Sequence, residues 1–230
     1  MDPKSALIVG VGQGLSASLA RLFARKGLQV ALASRNPDRL AKLAEETAAV
    51  TFACDATEPE EVAGLFDVVV ATQGAPDIVV YNASGRARGP VTELDPAEVS
   101  RAIAVSGYGG FLVAQQAARL MVPRGSGVIL LTGASASVKG YANSSSFAMG
   151  KFALRGLAQS LARELAPKGV HVAHFVIDGG IRSAARPDPN DNPDSMLDPD
   201  AIAENYWHVA TQSRSAWTWE VELRPWVERF

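Results

Sequence analysis

Three glycines, Gly10, Gly12 and Gly14, sit in the run IVGVGQGLSASLARLFARKG, between a short apolar stretch and a helical pattern. A sharp strand-to-helix turn needs positive φ and close backbone approach, which glycine permits. The helix that follows offers free N–H groups and a positive dipole end to a phosphate. In this reading Gly10 makes the turn, Gly12 and Gly14 let a pyrophosphate approach, and Gln13 and Leu15 flank it. The spacing is G-x-G-x-G, not the full G-x-G-x-x-G, and a tight turn in any α/β protein would look alike. Its place on the first strand of an alternating chain points to dinucleotide binding. A second group, Ser34, Arg35 and Asn36, ends the second apolar run, where an acid would accept from a ribose 2′-hydroxyl. No acid stands there. A carboxylate would repel a 2′-phosphate, whereas a guanidinium pairs with one through a charge-assisted fork. NADP(H) is therefore expected in preference to NAD(H), the plainer alternative being that Arg35 is a solvated cation.

The other reactive types point to less. His171 and His174 are three apart on an expected strand, face opposite ways and cannot share a metal. His208 lies among Tyr206, Trp207 and Val209, which suggests a core or partner contact. The stretch RPDPNDNPDSMLDP lacks the glycine and terminal glutamate of a calcium loop, so no metal site is expected. The single cysteine, Cys54, excludes an intrachain disulfide framework and a thiolate cluster, and a cytoplasmic location is expected. With 22 basic against 24 acidic side chains, the charge gives no support to a nucleic-acid partner. No apolar stretch nears the roughly 20 residues that span a bilayer, and the start lacks a signal peptide's apolar core, so no membrane partner is expected.

These residues need elements to hold them. Apolar runs at Ala6–Val11, Gln29–Ser34, Val50–Cys54, Asp77–Tyr81, Gly127–Thr132 and Val170–Ile177 read as strands covered on both faces. Helical patterns at Leu15–Lys26, Pro37–Ala48, Glu58–Thr72, Pro96–Met121 and Ser144–Ala166 alternate with them. The alternation predicts a doubly wound α/β fold, a Rossmann-type parallel sheet of about seven strands with helices on both faces. One domain is expected over residues 1–230, with a surface loop at about 184–199, then a helix from Asp200 to about Gln212 and a strand near Trp217–Leu223. Trp217, Trp219, Trp226 and Phe230 exceed what one strand buries, which suggests an association surface.

Over nearly its full length the chain resembles the short-chain dehydrogenase/reductase family. VGVGQGLS matches the family's T-G-x-x-x-G-x-G, with Val9 and Ser16 replacing the threonine and last glycine. Asp55 in CDATE matches the acid beside the adenine, and YNAS keeps Asn82 and Ala83 of N-N-A-G. DGGIRS matches P-G-x-x-x-T, keeping Gly179 but showing Asp178 and Ser183. The resemblance implies hydride transfer to or from a small carbonyl, alcohol or activated alkene, in a homodimer or homotetramer. It also implies cofactor contacts at Asp55, Ala56, Asn82, Ala83, Lys151, Gly179, Ile181 and Ser183.

In such enzymes a tyrosine and a lysine four apart share one helix face. The matching segment here is FAMGK, which keeps Lys151 and has Phe147 at the tyrosine position. The family's serine position falls on Ala134, beside Ser135, and its asparagine position on Ser106. Phenylalanine keeps the ring and loses the ionisable proton, so Phe147 reads as packing on an apolar helix face. Positioned acid–base catalysis is typically worth about 10²- to 10⁴-fold. Tyr141, Ser135, Ser144, Ser145 and Ser146 are candidate replacement donors, and Asp178 is a site carboxylate or a turn residue. The candidate catalytic set is thus Lys151, Ser135, Tyr141, Phe147 and Ser106. A catalytically silent dinucleotide-binding sensor or scaffold is the competing expectation.

Overall fold

The computed structural model describes residues 2–183, 186–189, 192 and 194–227; Phe230 lies outside them. Among the described residues, strands β1 (Ser5–Val9), β2 (Gln29–Ser34), β3 (Val50–Ala53), β4 (Ile78–Tyr81), β5 (Gly127–Thr132), β6 (Val170–Ile177) and β7 (Glu220–Leu223) form one sheet. Its order is β3-β2-β1-β4-β5-β6-β7, and every pairing is parallel. Helices α1 (Leu15–Arg25), α2 (Ala41–Thr47), α3 (Pro59–Gln73), α4 (Pro96–Ile103), α5 (Gly109–Arg124), α6 (Ser145–Leu165) and α7 (Pro199–Ala210) complete the doubly wound fold.

The strands are apolar throughout because both faces are covered. Ala6, Ile8, Val30 and Leu32 pack with Leu19 and Phe23 of α1, Leu43 of α2 and Tyr206 of α7. The alternate residues Leu7, Val9, Ala31 and Ala33 pack with Phe66 of α3, Leu112 of α5 and Leu154 of α6. From β1 the chain winds one way to β3, then crosses back to β4 on the other side of β1. That reversal leaves a crevice beyond the carboxyl ends of β1 and β4, where open α/β sheets bind ligands.

Boundaries differ from the sequence expectation where local hydrogen bonds intervene. β1 stops at Val9 because the amides of Gly10 and Val11 both turn to the Ala33 carbonyl, at 3.0 and 3.1 Å. The expected helix over Pro96–Met121 is broken by a π turn at Ala104–Tyr108 and then runs on through Pro123 to Arg124. Its start is as expected: Asp95 accepts from the Ala97 amide at 3.0 Å, with Pro96 in the first turn. The last strand is shorter than Trp217–Leu223, since Trp217 turns aside to stack on His171 at 4.7 Å. His208 is exposed, so the core contact expected for it is not made.

The carboxyl end of β5 is anchored to α7. Tyr206 is fully buried, lies 3.6 Å from the Phe175 ring and shares a 2.8 Å hydrogen bond with the Thr132 hydroxyl. Tyr206→Phe keeps the stacking and leaves the Thr132 hydroxyl without that partner. The expected loss is about 1–2 kcal/mol of unfolding free energy, measured by urea denaturation; an unchanged stability would show that the bond contributes nothing.

Candidate functional site

The crevice is built on a close approach. Gly10 has φ +87°, and a Cβ placed on it would collide with the backbone of Ala83. Only glycine lets the end of β1 pass that near to the end of β4. Asn82 then ties the turn together: its amide donates to the Val9 carbonyl at 2.9 Å, and its side chain donates to the Ser16 hydroxyl at 2.6 Å. Ser16 in turn donates to the Gly10 carbonyl at 3.2 Å. Nothing lies within 4 Å of where a Cβ on Gly12 or Gly14 would stand, so the backbone there faces open space. No side chain caps α1, whose first residues, Leu15 and Ser16, line the same opening.

Gly10, Gly12, Gln13, Ser34, Arg35, Asn36, Asp55, Ala56, Asn82 and Ala83 all line one cavity of about 820 Å³. A smaller hollow of about 340 Å³ is lined by Gly10, Gly12, Gln13, Gly14 and Leu15, with Asn82, Ile181 and Ser183 opposite. The residues singled out near the glycine turn therefore converge, although they come from five segments of the chain. Gly179 is not among the lining residues; it packs against Pro225 and Leu197. At the outer end the Ser34 hydroxyl is buried with no hydrogen-bond partner. Arg39 joins Arg35 there. Asp55 accepts from the Thr57 amide and hydroxyl at 3.0 and 2.8 Å. Partial burial raises its carboxyl, but those bonds, Arg35 and Arg101 outweigh burial and hold it below the usual range.

Ser16, Arg39 and Arg182 were not foreseen as lining residues. Arg39 had a signal, four residues beyond Arg35; Ser16 had one in its place at the end of the glycine motif, while its contact with Asn82, 66 residues away, had none. The described part of the 184–199 segment is tied down: Arg186 bridges Ser183, Leu197 bridges Ile181, and Arg182 pairs with Asp188 at 3.2 Å and with Asp198.

The second set gathers around α6. Lys151 is 2% exposed and its ammonium donates to the Thr132 carbonyl at 2.7 Å. Phe147, one turn earlier, is buried, with its ring centre 5.9 Å from the Lys151 nitrogen. Ser106 and Ser146 are fully buried, and each exchanges hydrogen bonds with the Gly85–Ala87 backbone. Ser135 opens a 3₁₀ turn whose carbonyl is taken up by the amides of Val138 and Lys139. Tyr141 is 48% exposed, and its ring lies 5.9 Å from the Lys139 ammonium. Lys139 also reaches buried Asp178 at 3.3 Å, so Asp178 is already engaged. The His174 Nδ1–H donates to the Glu220 carboxylate at 3.0 Å, and burial pushes the imidazole down to about 4, so it is neutral. No group of three or more metal-ligating side chains occurs among the described residues.

Comparison with known proteins agrees with this geometry. A family model for short chain dehydrogenases matches residues 4–192, and the chain belongs to that family. It is 29% identical to an uncharacterized oxidoreductase of Staphylococcus aureus across 98% of both chains. A short-chain dehydrogenase from Rhodopseudomonas palustris is 32% identical with a TM-score of 0.83, covering 97% of this chain and 99% of that one. A metagenomic short-chain oxidoreductase solved in complex with NADP is 28% identical with a TM-score of 0.84, covering 96% and 97%. No helix among the described residues is long and apolar enough to cross a membrane.

Burial, with the like charge of Arg86 added, pushes Lys151 down to about 7 from its ordinary 10.5. Between those values the unfolded chain binds the extra proton, so stability rises with pH through that window. Lys151→Met removes this dependence. The stability of wild type relative to the variant, measured by urea unfolding, should therefore increase from pH 7 to pH 10. A constant difference would show a lysine that titrates normally.

Proposed function

We infer that the protein is an NADP(H)-dependent oxidoreductase that moves a hydride to or from a small carbonyl, alcohol or activated alkene. The observation that supports this best is the crevice itself. Open glycine backbone, an uncapped helix start, the orphaned Ser34 hydroxyl and two arginines beside it fit a phosphorylated dinucleotide in shape, polarity and charge. The start of α1 would hold the pyrophosphate and Arg35 and Arg39 the 2′-phosphate; Lys151, which is buried and lines neither hollow, is assigned to the nicotinamide ribose by the family resemblance alone. The bound nicotinamide supplies the hydride donor or acceptor.

The residues of this chain do the rest. Phe147 takes the position that a catalytic tyrosine holds in the family, so its ring shapes an apolar wall and gives up no proton. Lys151, held by the Thr132 carbonyl, places positive charge next to that wall. Ser135 and Tyr141 are the hydroxyl candidates for proton donation, with Ser106 buried behind the wall. One observation favours a silent dinucleotide-binding sensor instead: neither Phe147 nor Ala134 carries a hydroxyl.

Two measurements test these readings. Arg35→Ala should weaken NADPH about tenfold or more, by loss of a charge-assisted pair, while NADH changes by less than about threefold. Equal weakening of both defeats the 2′-phosphate assignment. Phe147→Tyr should raise NADPH-dependent carbonyl reduction by about 10²- to 10⁴-fold in kcat, with NADPH affinity unchanged. If wild type and variant are both inert over a broad carbonyl panel while NADPH still binds, the sensor reading stands.

A further inference from the structure

Arg86 follows β4 by a few residues and carries no feature that marks it in the sequence. Its guanidinium lies 3.9 Å over the centre of the Phe147 ring, on the wall that Lys151 adjoins. The backbone beside it is clamped on both sides. The Ser106 hydroxyl accepts from the Gly85 amide at 3.0 Å and donates to the Gly85 carbonyl at 3.3 Å. The Ser146 hydroxyl does the same for Ala87, at 3.0 and 2.8 Å. Both serines are fully buried, so the base of Arg86 is fixed by two packed helical elements rather than left on a free loop.

The charge around it is one-sided. Among the described residues no carboxylate pairs with Arg86, Arg88 or Arg186. Arg86 is exposed, yet desolvation of its stacked face, then the like charges of Arg88 and Arg186, lower its pKa, so both cations lie near enough to act on it. Asp178 is occupied by Lys139, and Glu220 by Arg155 and His174. None of the three arginines lines the dinucleotide crevice, where Arg35 and Arg39 supply the positive charge and Arg182 is paired with Asp188 and Asp198. A stacked guanidinium spends its face on the ring and keeps its N–H edge for a planar oxyanion. All three side chains are exposed, so water tempers their mutual repulsion and each guanidinium edge stays open to an anion.

We propose that the substrate is a carbonyl compound carrying a carboxylate, and that Arg86, stacked on Phe147 and clamped by Ser106 and Ser146, is the residue that grips that carboxylate. This rests on the oxidoreductase reading for the carbonyl, but not for the anion. Arg88 and Arg186 add attraction at longer range.

The test is binding, which needs no turnover. The full chain, with and without NADP⁺, is titrated by calorimetry with 2-oxobutanoate and 4-oxopentanoate and with their methyl esters. At least one acid should bind about tenfold or more tightly than its ester, as expected for a bidentate charge-assisted pair. Arg86→Met should bring that ratio to about one, and Arg86→Lys should keep part of it, with NADPH affinity changed by less than about threefold. Arg86→Gln serves in place of Arg86→Met if thermal melting shows the latter unfolded. Equal affinity for acid and ester in wild type, or a ratio that survives both neutral variants, overturns the proposal. Carboxylate binding that depends on Arg86 in a protein that never oxidises NADPH would defeat the hydride-transfer reading alone.

Discussion

At the junction of β1 and β4 the backbone of Gly10 runs against that of Ala83 with no room for a side chain. Everything on the nucleotide side follows from that approach. Because the two strand ends nearly touch, Asn82 can reach both the Val9 carbonyl and the first turn of α1. The start of α1 is thereby locked beside the crevice, with Leu15 and Ser16 on its lining. An alanine at Gly10 would have to push the strands apart and adopt a positive φ at once. The sheet's winding reversal makes the crevice; this contact sets its width.

The substrate side depends on a different balance. Lys151 lies inside the protein with a carbonyl for a partner and no carboxylate, which is an expensive place for an ammonium. Its field is correspondingly strong, since little water screens it. Phe147 and Arg86 sit in that field, one apolar and one cationic. On the proposed reading, the wall beside Lys151 does not deliver a proton but attracts negative charge. The sheet beneath is stiff: Thr132, whose carbonyl holds Lys151, is itself fixed through its hydroxyl to Tyr206.

The elements were legible in the sequence because a sheet covered on both faces leaves uninterrupted apolar runs, as VALAS and GVILLT do. The glycine turn was legible for a similar reason: its chemistry is local, and the residues that make it are neighbours. The crevice's outer end was readable at Ser34–Asn36, since a strand end states which side chains stand there. Arg86 was not readable. Its partner ring and one of its clamps come from α6, the Ser146 clamp being 59 residues from Ala87. Ser106 shows the same limit from the other side: family resemblance put it at the asparagine position of the catalytic set, while the fold engages its hydroxyl with Gly85. The π turn at Ala104–Tyr108 left no trace either, because AVSGY fits a helical pattern as well as its neighbours do.

That turn carries one residue more than a regular helix would accommodate over the same rise. The wider turn absorbs that residue locally and breaks the regular hydrogen-bond ladder there. It turns the Val105 carbonyl inward to the Tyr81 hydroxyl while the Tyr108 and Phe111 rings, stacked 6.2 Å apart, face outward. A single-residue deletion there would close the bulge to a regular helical turn and withdraw that carbonyl from Tyr81.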